Sequence, residues 1–142
     1  AIIYSTHPRT RKFIDRRNII FHPLVKNIKP VGFLDYVKLQ ANALLVLSDS
    51  GTLTEESAIL GFPGVLIRTS TERPEGLDAG TIVVGGIKSR DVLSASELAI
   101  KISKDRPISI LPIDYGTIDV STKAVKIITS YIHIINKTTW QK

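Results

Sequence analysis

Ser48-Asp49-Ser50-Gly51-Thr52-Leu53-Thr54-Glu55-Glu56 joins an apolar run to an acidic helix start through a glycine turn. Ahead of it, Ala43 to Leu47 is a short continuous apolar stretch, the pattern of a strand buried on both faces of a parallel sheet. Behind it, Leu53, Ser57 and Leu60 recur at helical spacing until Gly61 and Pro63 end the helix. A strand entering a helix through Ser-Gly-Thr leaves backbone N–H groups unpaired where the helix macrodipole is positive, and phosphate is the usual guest of such a place.

Outward from this unit, strand-like and helix-like segments alternate along the chain, which predicts an α/β fold with a largely parallel sheet. Strands are expected at Ala1 to Tyr4, weakly at Ile28 to Val31 around Pro30, at Val65 to Ile67 and at Thr81 to Val84. Helices are expected over Thr10 to Arg16, from a cap at Asp35 to about Asn42, from Arg73-Pro74-Glu75, from Ser94 to Ile102, and from Val120 to about Ile135. With 142 residues and 43% hydrophobic content the chain has enough apolar material for one core, so a single domain is the expectation. Ala1-Ile2-Ile3-Tyr4 reads like the middle of a core strand with no initiator Met before it, the mark of a piece of something longer.

The net charge of +6 is compatible with an anionic partner, yet aromatic residues make up only 6% and are not interleaved with basic ones, which argues against nucleic acid. The absence of cysteine excludes disulfides and thiolate metal sites, and His7, His22 and His133 form no helical metal pair, so neither a metal nor another cofactor is expected. No apolar run approaches the ~20 residues that span a bilayer, and a cytoplasmic protein is the simplest expectation.

Open α/β sheets bind ligands beyond the carboxyl ends of their strands. His7, the Ser50-Gly51 turn and Thr71-Glu72-Arg73 each follow a strand, so the topology predicts three loops at one sheet edge. Two readings of Ser50, Gly51 and Thr52 stand open: an anion site, and a capping box in Thr52-x-x-Glu55 worth roughly 1 kcal/mol. Glu56, a turn beyond Thr52, would repel a phosphate but could accept two hydroxyl hydrogen bonds from a ribose; a solvated glutamate complementing the helix dipole is the alternative. His7, Tyr36 and the charge-dense Thr71 to Glu75 segment have equally plain structural readings, as a lone histidine, a core aromatic and a salt-bridged loop.

Taken together, Ser48-Asp49-Ser50-Gly51, Glu55-Glu56-Ser57-Ala58, Gly61-Phe62-Pro63, Thr71-Glu72-Arg73-Pro74-Glu75 and Ala79-Gly80-Thr81 resemble, in order and spacing, the signature of the non-hydrolysing UDP-N-acetylglucosamine 2-epimerase family. The resemblance runs from His7-Pro8 to about Gly86 and more loosely to the C-terminal helix. Thr52, where the best-known members carry a second glycine, and the tail Tyr131 to Trp140 look more like the subgroup acting on modified sugars, such as the enzymes making UDP-N-acetyl-L-fucosamine or 2,3-diacetamido-uronic acid nucleotides.

The resemblance implies a Rossmann-like parallel sheet with helices on both faces, one lobe of a GT-B-like two-lobe isomerase. Residues 1–142 would be the C-terminal UDP-binding lobe, without the N-terminal lobe. It implies inversion at C2 of a UDP-2-acetamido sugar by elimination and re-addition of UDP, in the synthesis of capsule or cell-surface polysaccharide precursors, by a full-length homodimer that touches neither membrane nor nucleic acid. By matching position, Ser50 and Gly51 would hold the diphosphate with Thr52 beside them, Glu56 the ribose hydroxyls, and Tyr36 the uracil. His7 would lie near the sugar and diphosphate, and Glu72 and Arg73 would shape the loop facing the cleft. The proton-moving carboxylates belong to the other lobe, so no residue here is expected to be catalytic, His7 being the one candidate, and the chain alone is expected to be inactive. A GT-B-like glycosyltransferase donor lobe and a non-catalytic nucleotide-binding module are the alternatives.

Overall fold

The computed structural model describes residues 1–105 and 111–141, which divide into two compact units, Ala1–Ala43 and Leu44–Lys142. In the first unit β1 (Ile2–Ser5) runs parallel to β2 (Val25–Ile28), with α1 (Pro8–Arg16) between them in sequence and α2 (Phe33–Ala41) after them. The second strand thus precedes Pro30 instead of running into it, since a proline lacks the N–H that a parallel ladder needs. Asp35 does not cap α2. Gly32 takes that place, and Asp35 stands in the first turn, where its charge complements the helix dipole. Thr6, buried at the end of β1, and Arg11 both donate to Asn27 Oδ1, at 3.1 and 2.7 Å.

The second unit holds a three-stranded parallel sheet in the order β3-β4-β5, from Val46–Ser48, Gly64–Leu66 and Ile82–Val84. α3 (Leu53–Leu60), α4 (Pro74–Asp78) and α5 (Ser89–Asp105) follow these strands in turn; a 3₁₀ turn at Ile113–Gly116 and α6 (Val120–Thr138) complete the unit. β4 is the centre of the sheet and is buried throughout. On one of its faces Leu66 packs with Leu53, Phe62 and Ile82; on the other Val65 packs with Ala95 and Ala99. Helices therefore cover both faces, α3 on one and α5 on the other, as the α/β pattern predicts.

β3 departs from its expected form. It begins at Val46, not Ala43, Leu47 remains 44% exposed, and among the described residues it pairs with β4 alone. An apolar run is therefore not by itself a strand buried on both faces. α3 also buries a face that apolar spacing does not mark. Its enclosed residues are Leu53, Thr54, Ser57 and Ala58, while Leu60 is partly exposed. The Ser57 hydroxyl lies 2.7 Å from the Phe62 carbonyl and 2.9 Å from that of Thr81, joining α3 to the turn before β4 and the lead into β5. Gly61 ends the helix with φ +73°, the left-handed conformation that glycine adopts without strain. Among the described residues no helix is long and apolar enough to cross a membrane.

Candidate functional site

The turn from β3 into α3 is built by short polar contacts. The Ser50 N–H donates to Ser48 Oγ at 3.0 Å, and the Leu53 and Thr54 amides bond the Ser50 and Gly51 carbonyls at 3.2 Å. For the Gly51 and Thr52 amides the described residues supply no acceptor. The Ser50 and Thr52 hydroxyls lie 2.9 Å apart at the same exposed place. Thr52 is the residue preceding α3, but its backbone is already helical and its side chain makes no cap bond. The capping box, one of the two readings open for this segment, does not form, because a cap residue needs extended backbone to turn its oxygen onto the first-turn amides.

Glu55, the other half of that box, is engaged elsewhere. Its Oε1 accepts from Arg73 Nε, a charge-assisted bond between the first turn of α3 and the residue that precedes α4. Its Oε2 is buried with no donor among the described residues. So held, the Arg73 guanidinium lies over the glycine turn: a Cβ built on Gly51 would stand 2.9 Å from Nη1 and 3.3 Å from Cζ. A glycine here leaves room for this approach, and its backbone is not among those with positive φ. Two loops that follow adjacent strands, β3 and β4, thus converge at the carboxyl edge of the sheet.

Electrostatics reinforce the arrangement. The bond to Glu55, then the charge of the same carboxylate, raise the Arg73 pKa above its ordinary value, with smaller contributions from Tyr115 and Glu72. Glu72 itself is exposed. Tyr115, in the 3₁₀ turn, donates its hydroxyl to Glu75 Oε1 at 2.7 Å. That bond holds the Glu75 carboxyl below the usual carboxylate range, while burial and then the same bond push the Tyr115 phenol up. Of the acids near the turn, one is therefore matched by an arginine and another by a phenol. α4 also sits hard on α3: Gly76 leaves no room for a side chain, with Thr54 Cγ2 1.9 Å from where a Cβ would be. The Thr81 hydroxyl, buried, donates to the Gly76 carbonyl at 3.1 Å.

Of the residues singled out in the sequence, Ser50, Gly51, Thr52 and Arg73 are brought together here. Glu56 lies in the first turn of α3, half-buried, its N–H bonded to the Thr52 carbonyl at 2.9 Å. His7 and Tyr36 belong to the first unit. His7 is exposed and caps α1, its Nδ1 accepting from the Arg9 N–H at 3.2 Å, which is the structural role weighed for it. Tyr36 is half-buried in α2. Glu55, Glu75, Gly76 and Tyr115 also build this place, through contacts that local sequence pattern does not mark. Glu55 was hidden behind its apparent capping role, and Tyr115 lies 40 residues from its partner with no local pattern to announce it.

The profile of the family described as UDP-N-acetylglucosamine 2-epimerase matches residues 1–129. The UDP-N-acetylglucosamine 2-epimerase of Methanococcus maripaludis is 39% identical over 104 residues, covering 70% of this chain and 28% of that protein. Among solved structures, the UDP-N-acetylglucosamine 2-epimerase of Rickettsia bellii superposes with a TM-score of 0.82 at 41% identity, over 99% of this chain and 39% of that one. The Methanocaldococcus jannaschii enzyme, in complex with UDP-GlcNAc and UDP, superposes with a TM-score of 0.80 at 34% identity, over 92% of this chain and 36% of that one. The chain thus spans between a quarter and two fifths of these relatives' length, and by profile, sequence and fold alike it belongs to the UDP-N-acetylglucosamine 2-epimerase family.

Proposed function

We propose that this chain is the C-terminal, UDP-binding lobe of a non-hydrolysing UDP-sugar 2-epimerase, an isomerase that inverts C2 of a UDP-2-acetamido sugar. The observation that carries the reading is the convergence on the Gly51 turn of two amides without an acceptor among the described residues, two hydroxyls and one guanidinium. These are the donors a diphosphate requires, at the positive end of a helix. A relative of the same fold is in complex with UDP-GlcNAc and UDP.

In this lobe Ser50, Gly51 and Thr52 grip the diphosphate, and Arg73 offsets its charge. Glu56 accepts the ribose hydroxyls, each such charged hydrogen bond being worth about 1.5–3 kcal/mol. Tyr36 is assigned to the uracil, His7 to the vicinity of the sugar, and Glu72 to the loop facing the cleft. The chemical logic is that the C2 proton has no adjacent carbonyl to acidify it, so its removal is coupled to expulsion of a stabilised diphosphate. UDP then adds back after C2 has been reprotonated on the other face. Holding UDP through this exchange is the contribution of this chain; the proton-moving carboxylates come from the N-terminal lobe of the full-length protein, a cytoplasmic homodimer supplying precursors of surface polysaccharide.

Calorimetry tests the reading. The 142-residue chain is expected to bind UDP without turning over UDP-GlcNAc, and Glu56→Gln is expected to weaken UDP while leaving pyrophosphate unchanged. Equal losses for both ligands would remove the ribose role, and turnover by the chain alone would remove the assignment of catalysis to the other lobe.

A further inference from the structure

An arginine side chain aimed at an anion must first be held in one conformation, and its rotamer entropy is about 2 kcal/mol. Arg73 precedes a helix of five residues and makes no cap bond of its own, so that helix does not fix where the guanidinium points. The fixing bond comes from α3: Glu55 Oε1 accepts from Nε, the donor at the base of the fork, while Nη1 lies over Gly51. Glu55 follows Gly51 by four residues, one turn along the same helix start. The acid that pins the arginine and the turn that offers the amides therefore move as one piece.

We infer, on the basis of the UDP-binding role proposed above, that Glu55 is a positioning residue, which sets the Arg73 guanidinium over the Gly51 turn so that main-chain amides and arginine meet the same diphosphate. Glu55 does this at an electrostatic disadvantage, since a second carboxylate near a diphosphate repels it. An acid retained there has to contribute through geometry. Both side chains of the pair remain partly exposed, but Glu55 Oε2 is itself buried and has no donor among the described residues, so the carboxylate is held through Oε1 alone.

The two effects have opposite signs, which makes the inference testable by titrating the chain and its variants with UDP, pyrophosphate and uridine. Glu55→Ala is expected to weaken UDP and pyrophosphate about tenfold and to leave uridine unchanged, while Glu55→Gln, whose amide oxygen can still accept from Nε, restores most of the loss. Arg73→Lys keeps the charge but has no Nε to pin, and is expected to lose UDP by the same factor. The double variant Glu55→Ala/Arg73→Ala is expected to bind UDP no more weakly than Arg73→Ala. Tighter or unchanged UDP binding by Glu55→Ala or by Arg73→Lys overturns the inference, as does a parallel loss for uridine, the sign of a merely structural role. A wild-type chain that fails to bind UDP overturns the nucleotide reading and this inference with it.

Discussion

Placing a methyl group at Gly76 is the sharpest perturbation the structure offers, because it pries apart α3, which carries Glu55, and α4, which follows Arg73. A Cβ there would stand 1.9 Å from Thr54 Cγ2, about 1.5 Å short of the 3.4 Å at which ordinary contact begins. Thr54 is completely buried, so its methyl has no solvent to swing into. Overpacking of this kind costs about 1–3 kcal/mol, and so deep an overlap belongs at the upper end. Alanine recovers about 1 kcal/mol over glycine within a helix, leaving Gly76→Ala destabilised by about 2 kcal/mol. For a chain of this size that is a fall in Tm of roughly 6–10 °C. Thr54→Ser deletes the clashing methyl and, alone, is expected to cost about 1 kcal/mol through the small void it leaves. In the double variant the new methyl fills that void, so the two changes should be strongly non-additive, with a coupling of about 2 kcal/mol in urea denaturation. Gly76→Ala as stable as the wild type, or a loss that Thr54→Ser leaves undiminished, would refute the packing argument.

Three further outcomes are expected. Tyr115→Phe removes the hydrogen bond that holds the Glu75 carboxyl below the usual carboxylate range, so its midpoint, followed by NMR, should move upward. A carboxyl with a depressed folded pKa contributes stability above its ordinary pKa and loses it as the pH falls through the depressed value, so wild type and Tyr115→Phe should converge in Tm toward the acid end. Gly61→Ala forces a side chain onto φ +73°, and denaturant titration should show a loss of about 1 kcal/mol. Ser57→Ala strips two buried carbonyls of a shared hydroxyl, with an expected cost of about 1–3 kcal/mol in the same assay.

The order of elements was legible because β and α periodicities alternate and because Gly61, Pro74 and the Gly85-Gly86 pair punctuate them. What failed were boundaries whose determinants are not local. β2 lies at Val25–Ile28, where Lys26 is exposed, no residue is more than half-buried and only Val25 and Ile28 are apolar, so its apolar signal is thin. α5 begins at Ser89, five residues before the expected Ser94, because only the small Ala95 and Ala99 are buried and the rest of the helix is free to extend. The sequence marks the Gly51 turn as a candidate anion site through its position before a helix start, and the structure adds a second feature. A glycine before a helix suggests backbone freedom, whereas here it makes room for a guanidinium from 22 positions along the chain. No periodicity can show that.

The same distinction divides the signature itself. Ser57, Gly76 and Thr81 are buried, and each bonds or packs against another part of the signature: Ser57 to the Thr81 carbonyl, the Thr81 hydroxyl to the Gly76 carbonyl, Gly76 against Thr54. Together they tie α3, α4 and the lead into β5 into one block, leaving Ser50, Thr52 and the Arg73 fork at its surface. A diphosphate makes two demands that a single turn cannot meet, several donors at fixed spacing and a cation that does not wander. In the proposed site the amides would satisfy the first through the rigidity of a helix start. The second requires that Arg73, on a different loop, keep its register with that start, and a buried polar block with no space for even one methyl group is a stiffer coupling than an exposed ion pair, worth about 0–1 kcal/mol, supplies alone. If the proposed site is right, substitutions at Gly76 or Ser57, which lie in the buried block and not at the turn's surface, should reduce UDP affinity together with stability.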